Sequence, residues 1–423
     1  MDESNQLRSF CESYIKRTMA THKFDLPDFV SYMEPVFQKM GYRTMDRRRQ
    51  ESILVIRLDD IRGCVMTSGF LRELRREKPQ AHITLVVSPF VHPLMELCPY
   101  VDEVYEFASG AGMALQDVLR TAISFSFRHL WKHRYDLCFC PQWGIDHSWT
   151  LLLGFLSGAR ERIGYSENVH EEKARANHGY DRFLTRALAC SPGVVHEVSR
   201  TFYLLQDLGM VVENDSMEVW FDEQDKLVAH RLLVNFMENH SIAVVALGAS
   251  QACRKYPVER YAAALRRISE SGMRFVLLGG NDVELEGSFF ARNMPKGTVM
   301  NLIGQTYLRV TAALISMADL YIGNDTGLAH IAAALHVPVI ELLAEAEDKK
   351  EDKSVYSVYE RFHPWKVPSI VLRPARALPP CNETAVLGGC CTMMPHCISR
   401  ISPEEVVAAY NVMVDYLEEH GRE

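Results

Sequence analysis

Leu320-Tyr321-Ile322-Gly323-Asn324-Asp325-Thr326-Gly327-Leu328-Ala329-His330-Ile331-Ala332-Ala333-Ala334-Leu335-His336-Val337-Pro338-Val339-Ile340-Glu341-Leu342 reads as a strand, a glycine-bearing turn, an alanine-rich helix and a second strand. The apolar run before the turn suits a strand buried on both faces, the habit of parallel sheets. Glycine on either side of Asn324-Asp325-Thr326 permits a sharp turn, and alanine is the best helix former. Strand, helix and strand in that order are the repeat of an α/β fold.

The same rhythm extends outward. Ile242-Ala243-Val244-Val245-Ala246-Leu247 is a buried strand, followed by Gly248-Ala249-Ser250 and a helix over about Val258–Ser271. Phe275-Val276-Leu277-Leu278 ends in Gly279-Gly280. Nearer the start, Ser52–Leu58, Ile83–Val87, Val101–Phe107 and Tyr135–Cys140 read as strands, with a helix over Thr67–Glu77. The expected architecture is two Rossmann-like domains facing a ligand cleft. A helical prefix covers 1–50 and ends in Arg47-Arg48-Arg49, read as the polar face of a docked helix. The domains cover 51–210 and 241–400, joined by 211–240. Ser402-Pro403-Glu404-Glu405 is a capping box with proline at the first helical position, so 401–423 is a final helix.

A length of 423 residues exceeds one ordinary core and fits this division. A net charge of -8 argues against general nucleic-acid binding, which needs a basic face. No apolar run is long enough to span a bilayer, and the polar start lacks a secretion signal, so a cytoplasmic protein is expected.

In open α/β sheets, ligands bind beyond the carboxyl ends of the strands. Three glycine-bearing turns of the second domain fall there, around Gly248 and Ser250, at Gly279-Gly280, and at Gly323–Gly327. Backbone N–H groups and helix dipoles at such turns suit a diphosphate. Glu284 and Glu286, just past Gly280, are candidates for the ribose hydroxyls, or else exposed helix carboxylates. Asp325 also suits a plain helix cap, and His330 a packed helix residue.

The set Gly323-Asn324-Asp325-Thr326-Gly327 with His330, Gly248-Ala249-Ser250 with Arg254-Lys255-Tyr256-Pro257, Ile53–Leu58 with Leu71-Arg72-Glu73-Leu74, and Gly158-Ala159-Arg160 with Arg162-Ile163-Gly164-Tyr165 resembles the ADP-heptose:lipopolysaccharide heptosyltransferase family. The resemblance spans about 52–400 and extends to the branch that modifies autotransporters. It implies a GT-B fold and inverting transfer from ADP-heptose to a lipopolysaccharide, glycan or protein acceptor, without a catalytic metal. By the same resemblance, Asp325 holds sugar hydroxyls while Thr326, Gly327 and His330 lie at the diphosphate. Arg254 neutralises the leaving group.

Inverting transfer also needs a base. The family pattern expects a Gly-Asp pair where this chain has Arg62-Gly63, so Asp59, Asp60 and Asp146 are the candidate bases, Asp146 slightly preferred. His196-Glu197 is a further candidate at the acceptor, or a helix start. The missing pair keeps a non-catalytic nucleotide-sugar binder or scaffold subunit as the alternative, with a sugar-nucleotide epimerase third.

Of eleven cysteines, Cys381, Cys390, Cys391 and Cys397 bunch in a Pro- and Gly-rich stretch with His396. Four thiols in one loop suit a structural zinc or iron site, or else packed thiols. This loop and the helical prefix are also the expected surfaces for homo-oligomer formation.

Overall fold

A computed structural model describes residues 3–20, 26–42, 50–108, 112–189, 193–238, 240–348, 357–382 and 394–421. The chain divides into two compact units, Met1–Asp215 and Ser216–Glu423.

The first unit holds strands β1 (Ser52–Arg57), β2 (His82–Val87), β3 (Glu103–Glu106), β4 (Leu137–Cys140), β5 (Glu161–Tyr165) and β6 (Arg186–Leu188). They form one parallel sheet in the order β3-β2-β1-β4-β5-β6. Every residue of β1 and β4 is buried, as two-sided cover by helices demands. At the amino end of this sheet Asp136 clamps β1. Its N–H donates to Ser52 O at 2.8 Å and its Oδ2 accepts from Ser52 N at 3.0 Å.

The helices of the prefix, Glu3–Ala20 and Leu26–Lys39, share this unit's core. Leu7, Cys11, Phe29, Met33 and Phe37 pack in one cluster with Leu54, Ile56 and Phe155, and the Phe37 and Phe155 rings meet edge to face at 5.6 Å. Burying such a side chain contributes roughly 1.5–3 kcal/mol, so the prefix is tied down by apolar area.

The second unit repeats the plan with β7 (Ile242–Ala246), β8 (Arg274–Leu278), β9 (Val299–Asn301), β10 (Leu320–Asn324), β11 (Val339–Leu342) and β12 (Ser369–Leu372). The order is β12-β11-β10-β7-β8-β9, again all parallel. The final helix, Pro403–His420, opens with the expected capping box, Glu405 N donating to Ser402 Oγ at 3.2 Å. It buries Val406, Ala409, Tyr410 and Met413 in the core with Tyr261 and Leu265. No described helix is long and apolar enough to cross a membrane.

Candidate functional site

In each sheet the connections reverse direction at the two middle strands, and there the loops beyond the carboxyl ends part to leave a crevice. In the second unit those strands are β7 and β10. The fully buried Asn324 side chain joins them. Its Nδ2 donates to Leu247 O at 2.9 Å and Gly248 O at 3.0 Å, while its Oδ1 accepts from Tyr256 N at 3.0 Å and Tyr261 Oη at 3.2 Å. The Gly248 and Arg254 loops are thereby fastened beside the 323–327 turn. Gly323 is required there, since a Cβ would lie 2.7 Å from Tyr321 Oη and 3.0 Å from Ala246 O.

Asp325 follows at the strand end, largely buried. Arg254 Nη1 lies 3.9 Å from its Oδ2 and His330 Nε2 3.7 Å from its Oδ1. His330 itself is fully buried, so the imidazole stands behind Asp325. Sequence reasoning passed over Glu341, whose carboxylate gathers with that of Asp325 and the imidazole of His330, donor atoms within 4.8 Å of one another. Its signal was a lone charge inside the apolar run Val-Ile-Glu-Leu of β11. Thr326 caps the helix Gly327–Ala334 by backbone position, and its hydroxyl meets Tyr321 Oη at 3.2 Å. Around β7 and β8, Gly248 is half-buried, whereas Ser250, Gly280 and Glu284 lie at or near the surface and Glu286 is half-buried. Asp282 pairs with Lys255 at 3.2 Å there.

The three candidate bases of the first unit have different surroundings. Asp146 is buried. Its Oδ1 accepts from Ser148 N at 3.1 Å and Thr150 N at 3.0 Å, and its Oδ2 from Leu151 N at 2.9 Å. Both oxygens of this carboxylate are thus engaged by amides at the start of the helix Thr150–Leu156. Asp60 caps the helix Ile61–Met66 through Gly63 N at 2.9 Å and its side chain is 60% exposed. Asp59 sits at the end of β1, its Oδ1 accepting from the buried Arg57 Nε at 2.7 Å. Burial pushes its carboxyl up, Arg57 opposes, and the charge of Asp60 adds to the rise. His196 and Glu197 serve structure: His196 Nδ1 accepts from Val198 N at 3.2 Å, and Glu197 pairs with Arg200 at 2.5 Å.

Residues 150–355 match the family described as glycosyltransferase family 9 (heptosyltransferase). The chain resembles that family over this stretch, just under half of its length. Lipopolysaccharide heptosyltransferase 2 of Escherichia coli strain K12 is 24% identical over 307 residues, 69% of this chain and 82% of that protein. Among solved structures, the glycosyl transferase family 9 protein of Veillonella parvula aligns with TM-score 0.69 at 19% identity, covering 86% of this chain and 98% of that one. The E. coli ADP-heptose lps heptosyltransferase II aligns at 0.63 and 19%, covering 87% and 99%. The chain is thus similar in sequence to glycosyltransferases and shares the two parallel α/β sheets of the GT-B kind. Its matched stretch contains the Gly248 loop and the whole Asp325 turn.

Of the cysteine bunch, Cys390 and Cys391 lie outside the described residues. Cys381 and Cys397 are buried and converge on His396, whose Nδ1 is 3.6 Å and 3.4 Å from their sulfurs. The two thiols and the imidazole keep their donor atoms within 4.8 Å, a soft set that fits zinc or iron. His396 therefore joins the expected ligand set.

Proposed function

We propose that this chain is a glycosyltransferase that moves heptose from ADP-heptose to a lipopolysaccharide, glycan or protein acceptor, with inversion and without a catalytic metal. The observation that carries the reading is Asp325, held between Arg254 and His330 where β10 meets the helix Gly327–Ala334. The names of the E. coli relatives support heptose and its ADP-linked donor.

In this reading the Asp325 carboxylate accepts the sugar hydroxyls, and His330 positions it from behind. Thr326, Gly327 and the amides opening the helix receive the diphosphate. Arg254 offsets the charge that grows on the departing ADP, where fixed donors act with little reorganisation. Gly248 and Ser250 border the phosphates, and Gly280 with Glu284 face the ribose. The lipopolysaccharide acceptor follows the relatives' names; a protein acceptor rests on the sequence resemblance alone. Cys381, Cys397 and His396 would hold zinc or iron as a structural clamp before the last helix, supplying no chemistry to transfer; metal analysis after chelation tests it.

Calorimetry with ADP and consumption of ADP-heptose test the donor site together. Asp325→Asn is expected to leave ADP affinity within twofold and to slow transfer by about a hundredfold or more. A wild-type chain that takes up no ADP overturns the reading. One that binds the donor and protects it unconsumed overturns transfer alone.

A further inference from the structure

We propose that Asp59 is the base that receives the acceptor's proton, and that residue 63 is glycine because the Asp59 carboxylate occupies the space of its side chain. This rests on the transfer reading above.

The steric observation comes first. A Cβ added to Gly63 would lie 2.2 Å from Asp59 Oδ2 and 2.6 Å from its Oδ1 and Cγ. No side chain fits there while the carboxylate stays. Gly63 lies in the helix Ile61–Met66, where glycine costs about 1 kcal/mol relative to alanine. The chain accepts that cost and places a carboxylate in the vacated volume.

The position suits proton transfer. Asp59 lies two residues beyond β1, at the carboxyl end where the first sheet reverses direction between β1 and β4, the ligand end of such folds. Arg57, whose side chain is 5% exposed, fixes Oδ1, while the Asp59 side chain remains 22% exposed. One oxygen is thus anchored and the other can meet a hydroxyl. Asp146 lacks this freedom, since both its oxygens hold helix amides. Asp60 is solvated and spends an oxygen on Gly63 N. Burial and the neighbouring Asp60 also lift the proton affinity of Asp59, which favours a general base.

The step balances. The acceptor O–H gives its proton to Asp59 while its oxygen forms the bond to the anomeric carbon. The bond from that carbon to the phosphate oxygen breaks, and its electron pair leaves with ADP. Water then takes the proton from Asp59.

The test follows ADP release from ADP-heptose by the full chain with heptose-deficient lipopolysaccharide, alongside ADP calorimetry. Asp59→Asn keeps an acceptor for Arg57 and is expected to lower kcat about a thousandfold with ADP affinity unchanged. It should also abolish the acid limb of the kcat–pH profile, which a structural role would not do. Gly63→Ala, leaving Asp59 in the chain but displacing its carboxylate, is expected to lower kcat at least tenfold. The exchange Asp59→Gly with Gly63→Asp should recover part of the activity that Asp59→Gly loses. Wild-type kcat in Asp59→Asn with intact ADP binding overturns the base and leaves the donor site standing. Loss of ADP binding by the wild type overturns the donor site instead. A wild type that binds ADP but releases none from ADP-heptose overturns transfer, and the base with it, and leaves the donor site standing.

Discussion

The two units are built to one plan up to the carboxyl ends of their sheets, and there they part. Both place the strands in the same order, and both clamp the amino end of the reversal with an aspartate. Asp136 N and Oδ2 bracket Ser52, and Asp319 N and Oδ2 bracket Ile242, with nearly the same distances. At the carboxyl end, the second unit joins its middle strands with the neutral amide of Asn324, beside which Asp325 is displayed. The first unit fills the corresponding region with charge: Arg57 on Asp59, Asp146 on three amides, Glu197 on Arg200, and Lys173 buried among them. The repeated scaffold keeps its device at the amino ends and diverges at the carboxyl ends. In the function proposed above, one carboxyl end meets a diphosphate that wants backbone donors, and the other an alcohol that must lose a proton.

Breaking the amide joint should have the largest effect. Asn324→Leu leaves Tyr256 N and the Leu247 and Gly248 carbonyls without their buried partner, and is expected to destabilise the second unit by about 4 kcal/mol. Hydrogen exchange in peptides covering β7 and β10 reads this, and should leave β1 and β4 unchanged. If protection holds in β7, the amide is not the joint.

Next comes Lys173, whose ammonium donates to Trp143 O at 2.9 Å and Tyr165 O at 3.1 Å. Burial lowers it from 10.5 to about 8, so the folded chain releases this proton before the unfolded chain does. Its contribution to stability therefore rises with pH between about 8 and 10, by about 3 kcal/mol in all. The difference between wild type and Lys173→Met, followed by denaturation from pH 7.5 to 9.5, should show that slope. A flat difference means the lysine titrates normally. Smaller still, Asp146→Ala should cost about 2 kcal/mol by uncapping Thr150–Leu156, while Asp146→Asn transfers heptose within a few-fold of wild type. A hundredfold loss in Asp146→Asn would return the base to that residue.

Legibility followed the same divide. Buried strands announced themselves as apolar runs, and Ser402, Pro403 and Glu405 marked the last helix because caps and periodicity are local in sequence. The packing of the prefix on Phe155 was hidden, since an amphipathic pattern says that a face is covered but not by what. Asp146 shows a related limit. A carboxylate after a strand reads alike whether it points at substrate or back onto the next helix, and only backbone direction separates the two. The trade between Asp59 and Gly63 was invisible because it is a matter of volume between side chains. Glu341 was readable as a charge in an apolar strand, yet its meeting with Asp325 and His330 depends on the pairing of β10 with β11.

The smallest effects test the shared half of the plan. Asp136→Ala and Asp319→Ala each remove one carboxylate acceptor from one strand-end amide, while the backbone bond beside it survives. A charge-assisted bond to an amide contributes about 1 kcal/mol net when the freed N–H can still find water. Asp136 is the more deeply buried, so its loss should be the slightly larger. Denaturant melts of the two variants, read through hydrogen exchange at β1 and β7, should show two similar, local losses and no change in ADP affinity. Clearly unequal losses, or a fall in ADP binding from Asp319→Ala, would mean that the amino ends are not equivalent either, and that the repeat is one of strand order alone.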